Sequence, residues 1–389
     1  MRREEQLVVA LCRTPLPQPA RETADALITI DLNWDRVFMF AALFEVEPVF
    51  FSNLRSLTGS EIPAEVLDRA AIVERDSRAL ALSRTLLLVD LYRKLERIGI
   101  PVIVLKGPAL GAMAYGDPSM RTYQDIDFLT TREYLPRARD LLLGVGYKRD
   151  YDADSESLLL AGDHALEFSG PGSKVELHCA LVERHLRFDL GGDELWNEAS
   201  TVECAGAKLK VLDRARLLLF VCAHGTKHEW TKFRWICDVA QLADRIDDND
   251  ARKVVALAAR AHATRILSLG LGLAREILGQ DLSLFSSLFP ARDRDSSRES
   301  ESTFSYVRHR LGLGEAVSPG DRAWIDRVDS DAASLLFWAR SRERWVDRVA
   351  SVARVVFVPT EKDRKMGALG WITRPFRLAA RLVRRAVAA

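Results

Sequence analysis

Residues 102–129 read VIVLKGPALGAMAYGDPSMRTYQDIDFL. An apolar run leads into a Lys106-Gly107-Pro108 turn and a short apolar helix. Arg121 and a second run, carrying Asp125 and Asp127, follow. Side chains alternate between the two faces of a strand, so Asp125 and Asp127 share one side while Ile126 and Phe128 take the other. Carboxylates that close repel each other unless a cation lies between them. The apolar flanks Ile126, Phe128 and Leu129 half-bury this strand, and acids placed there need compensation. A lone Asp-x-Asp is common on surface strands. Next to a Lys-Gly turn and another acid-bearing strand, it predicts a metal and phosphate chemistry.

Working outward, PVIVLKG (101–107) reads as a buried strand, and Pro108 suits the first residue of a helix running to about Tyr115. GDPS (116–119) is a turn, TYQDIDFLT (122–130) the second strand and REYLPRARDLLLGVG (132–146) a helix. Residues 147–152 and 163–169 suggest short strands. KVELHCAL (174–181) alternates, with Val175, Leu177 and Cys179 on one side and Glu176 and His178 on the other. Upstream, residues 20–98 have apolar positions at three- and four-residue spacing, closing on Gly99. Downstream, Asp213 can cap a helix, and the chain reads as helical from there. ARDRDSSRESES (291–302) is polar enough for a linker or loop. WITRPFRLAARLVRRAVAA (371–389) reads as a basic amphipathic helix, a solvated or packed face in preference to a membrane-surface binder. The expected fold class is α+β, a mixed β-sheet core with helices. A helical region spans 1–98, the α/β core 99–210, and a helical domain with a C-terminal arm 211–389.

The 389 residues are 48% apolar and 29% charged, enough for a large core and a hydrated surface. With 56 basic against 55 acidic residues, bulk nucleic-acid binding is not expected. Cys12, Cys179, Cys204, Cys222 and Cys237 are an odd number without a Cys-x-x-Cys pair, which suggests reduced thiols and a cytoplasmic protein. The N-terminus does not fit a secretory signal, and no apolar run is long enough for a transmembrane segment.

Glu176 is the candidate third carboxylate, sharing its face with His178. Three acids can hold hard cations such as Mg²⁺ or Mn²⁺, and two such ions stabilise the oxygens of an in-line displacement. Gly107 permits a close backbone approach, the following helix offers free N–H groups, and Lys106 adds a charge, together making a phosphate turn. Arg121 either neutralises phosphate or pairs with an acid such as Asp117. His224, His228, Trp230, Arg234, Trp235 and Asp238 form a second cluster. The histidine spacing suits zinc, but there is no HExxH and no third ligand. Packing explains most of this cluster, with Trp230 able to stack on a nucleotide and His224 or Arg234 able to hydrogen-bond to it.

LKGPAL, Tyr115-Gly116-Asp117-Pro118, Arg121 and DIDFL together resemble the LKG…R…DIDLL signature of a largely uncharacterised bacterial nucleotidyltransferase family of the DNA polymerase beta-like superfamily. HALEF (164–168) and VELHCAL (175–181) look like that family's third-acid strand. CAHGTKHEWTKFRWICDVAQL (222–242) looks like its histidine-tryptophan segment, and VPTEKDRKMGALGWITRPFRL (358–378) like its C-terminal arm. The resemblance implies transfer of a nucleoside monophosphate from an NTP, ATP first among them, to a hydroxyl, with release of pyrophosphate. Asp125, Asp127 and Glu176 would be the metal-binding catalytic acids. Lys106, Gly107, Arg121, His178, His224 and Trp230 would be the nucleotide-binding residues. The acceptor would be a small molecule, a peptide or a protein. The sequence departs from the superfamily at Pro108, where Ser or Gly is usual, and in its longer connection to the acids. That departure favours the alternative, a nucleotide-binding or scaffold protein of the same fold that has lost turnover.

Overall fold

The computed structural model describes residues 1–57, 61–162, 165–182, 190–288, 294–314 and 331–357, together with Thr373. Four helices come first, α1 (Arg3–Ala10), α2 (Gln18–Leu27), α3 (Trp34–Leu43) and α4 (Glu47–Arg55), followed by α5 (Ala64–Arg97). Across its 34 residues α5 has neither Gly nor Pro, and Lys94 and Arg97 in its last turn complement the helix dipole. It stops just before Gly99, whose φ of 71° reverses the chain.

The sheet has seven strands among the described residues: β1 (Ile103–Val104), β2 (Asp125–Leu129), β3 (Lys148–Arg149), β4 (Leu166–Ser169), β5 (Lys174–His178), β6 (Ser200–Cys204) and β7 (Ala207–Val211). Their spatial order is β3-β4-β5-β2-β1-β7-β6. The β2–β5 and β1–β7 pairs are parallel, and the other neighbours are antiparallel. The sheet is therefore mixed, as expected for an α+β chain.

Helix α6 (Gly107–Tyr115) connects β1 towards β2, and α7 (Leu135–Gly144) follows β2. The short α8 (Glu156–Ala161) and α9 (Asp193–Asn197) lie in the connections around β4 and β6. After the sheet come α10 (Arg214–Lys227), α11 (Phe233–Ala243), α12 (Asp248–Arg260), α13 (Thr264–Leu278) and α14 (Arg294–Arg310), then α15 (Asp331–Arg340) and α16 (Trp345–Phe357).

The two faces of the sheet feed different cores. Ile126, Phe128, Val175 and Leu177 pack with Leu88, Leu91 and Leu95 of α5 and Leu142 of α7. On the other side, Leu129 joins a larger core that unites α1, α3 and α4 with α10, α11 and α13. The N-terminal residues are built into this core. Leu7, Val8, Leu11 and Cys12 are buried, the Asn53 amide donates to the Leu11 and Arg13 carbonyls, and Arg13 pairs with Asp244 at 2.7 Å.

Three elements differ from the sequence reading. The β6–β7 hairpin was not anticipated. Its two-residue turn, Ala205 and Gly206, has both φ angles positive (47° and 71°), as the twist of a tight hairpin demands. Residues 294–302 belong to α14 instead of a loop. Without Gly or Pro the run can be helical, and the burial of Val307 and Thr303 anchors it. The paired part of β1 is shorter than 101–107, although the Leu105 amide still donates to the Asp127 carbonyl at 3.1 Å. The readings of 358–378 as an arm and of 371–389 as a basic helix lie outside the described residues, Thr373 apart.

Candidate active site

The parallel pairing of β2 with β5 sets Asp127 beside Glu176, Asp125 beside Lys174 and Leu129 beside His178. In-register residues on neighbouring strands share a face, so all three acids emerge on the side facing α10 and α11. Asp127 is fully buried. Its Oδ1 lies 2.7 Å from Lys106 Nζ and 3.2 Å from His178 Nε2, which is also 3.2 Å from Glu176 Oε2. Asp127 Oδ2 has no hydrogen-bond partner among the described residues.

Charges hold one another in place here. Burial raises the Glu176 pKa, but the hydrogen bond and charge of His178, aided by Lys106, overcome it and pull the group down to about 2. Burial works against charge on His178, yet Asp127 and Glu176 prevail and favour the imidazolium. Lys106 is likewise opposed by burial and kept charged by Asp127, Glu176 and Asp125.

Oxygen and nitrogen atoms of Asp127, Glu176 and His178 lie within 4.8 Å of one another, close enough to share one cation. The buried, unpartnered Asp127 oxygen and the two carboxylates fit a divalent ion, and His178 can join them as a ligand once the ion displaces its proton. Among the described residues this is the sole such group of three. It differs from the expected ligand set: His178 is in it, and Asp125, though on the same face, is not.

Lys106, Asp125, Glu176 and His178 line one end of a cleft of about 420 Å³ shared with residues of α10 and α11, and Asp127 lies buried behind them. Gly107, at φ 60°, makes the turn into α6, and a Cβ there would sit 3.4 Å from the Asp125 carbonyl oxygen. The turn is thus pressed against the acid strand. Glu167, paired with Glu176 across β4–β5, adds a third carboxylate to the cleft lining, beside Asp125 and Glu176. Burial and then Glu176 raise its pKa. Its signal in the sequence is the alternation of Leu166, Glu167 and Phe168, which puts Glu167 on the opposite face from its apolar neighbours.

Arg121 requires a correction. It lines the cleft, but Asp238 of α11 takes its Nε at 2.8 Å and its Nη2 at 2.9 Å, and Nη1 donates to the Thr122 carbonyl. Tyr115 donates to the same carboxylate at 3.0 Å. Its partner is not Asp117, which accepts from the Ser119 amide. The guanidinium is part of a closed internal ion pair, which leaves it poorly placed to grip phosphate.

Trp230 is corrected too. It is fully buried, and its ring packs on Gly225 and Gly270, where a Cβ would meet it at 2.5 and 3.2 Å. Left-handed φ angles at Glu229 (51°) and Trp230 (55°) fold the side chain back beneath α10. A nucleotide cannot reach it. Trp235, on the first turn of α11, lines the cleft instead, its ring 5.1 Å from that of His224 and 5.3 Å from that of His228. Helix α10 does continue through Gly225 to Lys227, so the His224 and His228 rings meet, 4.7 Å apart and tilted by 60°. His224 faces the cleft. Burial, then Lys106 and His228, lower its pKa well below the usual value, which leaves a neutral imidazole.

The site is thus an acid cluster on a mixed sheet, beside a glycine turn and beneath a helical half, and the match to a family model assigns the chain to the nucleotidyltransferase class. The chain belongs to a family described as an uncharacterised nucleotidyltransferase, whose model matches residues 31–279. Helices α14, α15 and α16 lie beyond that match. No curated protein matches the chain. Among solved structures it is similar to the crystal structure of an antigenic nucleotidyltransferase-like protein from Paracoccidioides brasiliensis. The two are 17% identical over 53% of this chain and 95% of that one, with a TM-score of 0.31. No described helix is long and apolar enough to cross a membrane.

Proposed function

We propose that the protein is a metal-dependent nucleotidyltransferase that moves a nucleoside monophosphate from an NTP, ATP first among them, to a hydroxyl acceptor and releases pyrophosphate. The observation that carries this reading is the buried Asp127 with one oxygen unpartnered, in register with Glu176 at the end of a cleft sized for a nucleotide. Asp127, Glu176 and His178 would hold Mg²⁺ or Mn²⁺, with Asp125 beside them. A bound divalent ion would supply charge neutralisation for the phosphoryl oxygens.

The chain's own groups divide the remaining work. Lys106 and the N-terminus of α6 at Gly107 face the phosphates with positive charge and free N–H groups. Trp235 offers an aromatic wall and His224 a neutral donor and acceptor for the base. Glu176, held ionised beside His178, orients its partners. Rate enhancement then comes mainly from alignment and preorganised charge.

The test is incubation with each labelled NTP and Mg²⁺, following pyrophosphate release and label on the protein or on small-molecule and peptide acceptors. Pyrophosphate release that Asp127→Asn abolishes supports the reading, and full activity in that variant refutes it. One observation favours a second reading, nucleotide binding without turnover. Lys106 Nζ already occupies Asp127 Oδ1 at 2.7 Å, next to a turn carrying Pro108. Tight NTP binding with no pyrophosphate release across all four nucleotides and a broad acceptor panel would support that reading.

A further inference from the structure

Beyond the acid cluster, the α11 end of the cleft carries a second group of charges. Glu45, in the turn between α3 and α4, places its carboxylate 2.9 Å from Lys232 Nζ and 2.9 Å from Arg234 Nη1. Lys232 and Arg234 both line the cleft. The Glu45 backbone is left-handed, at φ 57°, and Thr122 Oγ1 donates to its carbonyl oxygen at 2.7 Å. Its position is thus set by the main chain. Arg234 Nη1 makes its aligned hydrogen bond to the Thr122 carbonyl at 2.9 Å. Neither Arg234 Nε nor Glu45 Oε2 has a hydrogen-bond partner among the described residues.

Arg234 is only 8% exposed, so an unpartnered N–H there is costly. Two cations share one carboxylate, which leaves a positive charge uncompensated. Arg121 and Arg234 repel each other, and Arg121 holds both oxygens of Asp238, which also accepts from Tyr115. Burial, and then Arg121, lower the Arg234 pKa despite Glu45, Asp238 and Asp125. What this corner lacks is an anion. A guanidinium fork beside an ammonium matches the oxygens of a phosphoryl group.

We propose that Lys232 and Arg234 form an anion subsite for a phosphoryl group, separate from the Lys106–Gly107 turn, with the Glu45 carboxylate holding the ligand's place until it binds. The phosphoryl group belongs either to the nucleotide's own tail or to a phosphorylated acceptor; the chemistry is the same. The inference rests on the cleft being a nucleotide site but needs no turnover.

Titration calorimetry of the full chain with inorganic tripolyphosphate in EDTA tests it, because no metal bridge can then form. The wild type binds. Arg234→Gln and Lys232→Gln each weaken binding about tenfold or more, the scale of a lost charge-assisted contact. Glu45→Gln tightens it about threefold or more, because a competing carboxylate is gone. Lys232 is partly exposed, so its variant remains informative if Arg234→Gln fails to fold. No binding by the wild type, or equal affinity in the wild type and Lys232→Gln, overturns the subsite. Weaker binding by Glu45→Gln overturns the place-holder role, since a purely structural contact would act in that direction. Competition between tripolyphosphate and a non-hydrolysable NTP assigns the subsite to the nucleotide tail. Binding of glycerol phosphate to the NTP-saturated protein, lost in Lys232→Gln, assigns it to the acceptor. Absent pyrophosphate release with this binding pattern intact would refute the transferase reading and leave the subsite standing.

Discussion

Asp127 and Asp238 are both buried carboxylates beside a buried cation, yet one is finished and the other is not. Asp238 accepts from Arg121 through both oxygens and from Tyr115 as well, joining α6, α11 and the approach to β2. Asp127 takes Lys106 and His178 on one oxygen and leaves the other unpartnered among the described residues. A bidentate pair with every acceptor used is a structural joint. A buried carboxylate with an idle oxygen, just behind the side chains that line a cleft, carries a desolvation cost that a ligand can relieve. Burial and charge alone do not separate a joint from a site; the degree of satisfaction does.

Substitution should expose this contrast. The largest effect is expected for Asp127→Asn, which keeps an acceptor for Lys106 and removes the charge. Pyrophosphate release falls about a thousandfold, while the melting temperature stays within a few degrees, read by a thermal melt. Asp238→Asn should do the reverse to the fold. Arg121 is left buried without its counter-charge, at a cost of roughly 3–5 kcal/mol, measured by denaturant unfolding. If both variants destabilise equally, the contrast between joint and site is broken.

The two tryptophans sharpen it further. Trp230→Ala opens a cavity in the core and costs roughly 3–5 kcal/mol, and the protein that remains folded binds nucleotide with unchanged affinity. Trp235→Ala weakens nucleotide binding roughly tenfold, the low end of a lost stacking contact, measured by equilibrium dialysis. The smallest effect belongs to an exposed carboxylate, Glu198. Hydrogen bonds from Lys253 and Arg216 lower the Glu198 pKa from 4.5 to about 2. Its folded-state pKa is depressed, so its stabilisation is present above pH 4.5 and is lost as pH falls through 2. Exposure keeps this under about 1 kcal/mol. Acid titration of Glu198→Gln should show a slightly flatter stability curve in that window and no change above it.

Much of the acid end was legible before any coordinates. Strand alternation alone aligned Asp125 with Asp127 and Glu176 with His178, and helical spacing closing at Gly99 marked the end of α5. Other features were not readable. Asp238 lies 117 positions from Arg121, and Glu45 lies 77 from Thr122, so nothing local announces either contact. Trp230 and Trp235 are five residues apart in one aromatic stretch, and a left-handed turn decides which of them meets the cleft. The hairpin at Ala205-Gly206 lacks the Asn-Gly pair that usually signals such a turn.

By itself the sequence determined which side chains share a face, because pleat and helical period are properties of neighbouring residues. It also determined the chemistry on offer: paired acids, a Lys-Gly turn and a histidine-tryptophan segment. Only the tertiary structure decided that Asp127 stands beside Glu176, that Asp238 closes around Arg121 and that Glu45 reaches Lys232 and Arg234. Those outcomes depend on strand register and on burial between distant segments. Register and burial determine which charge is neutralised and which is left waiting for a ligand.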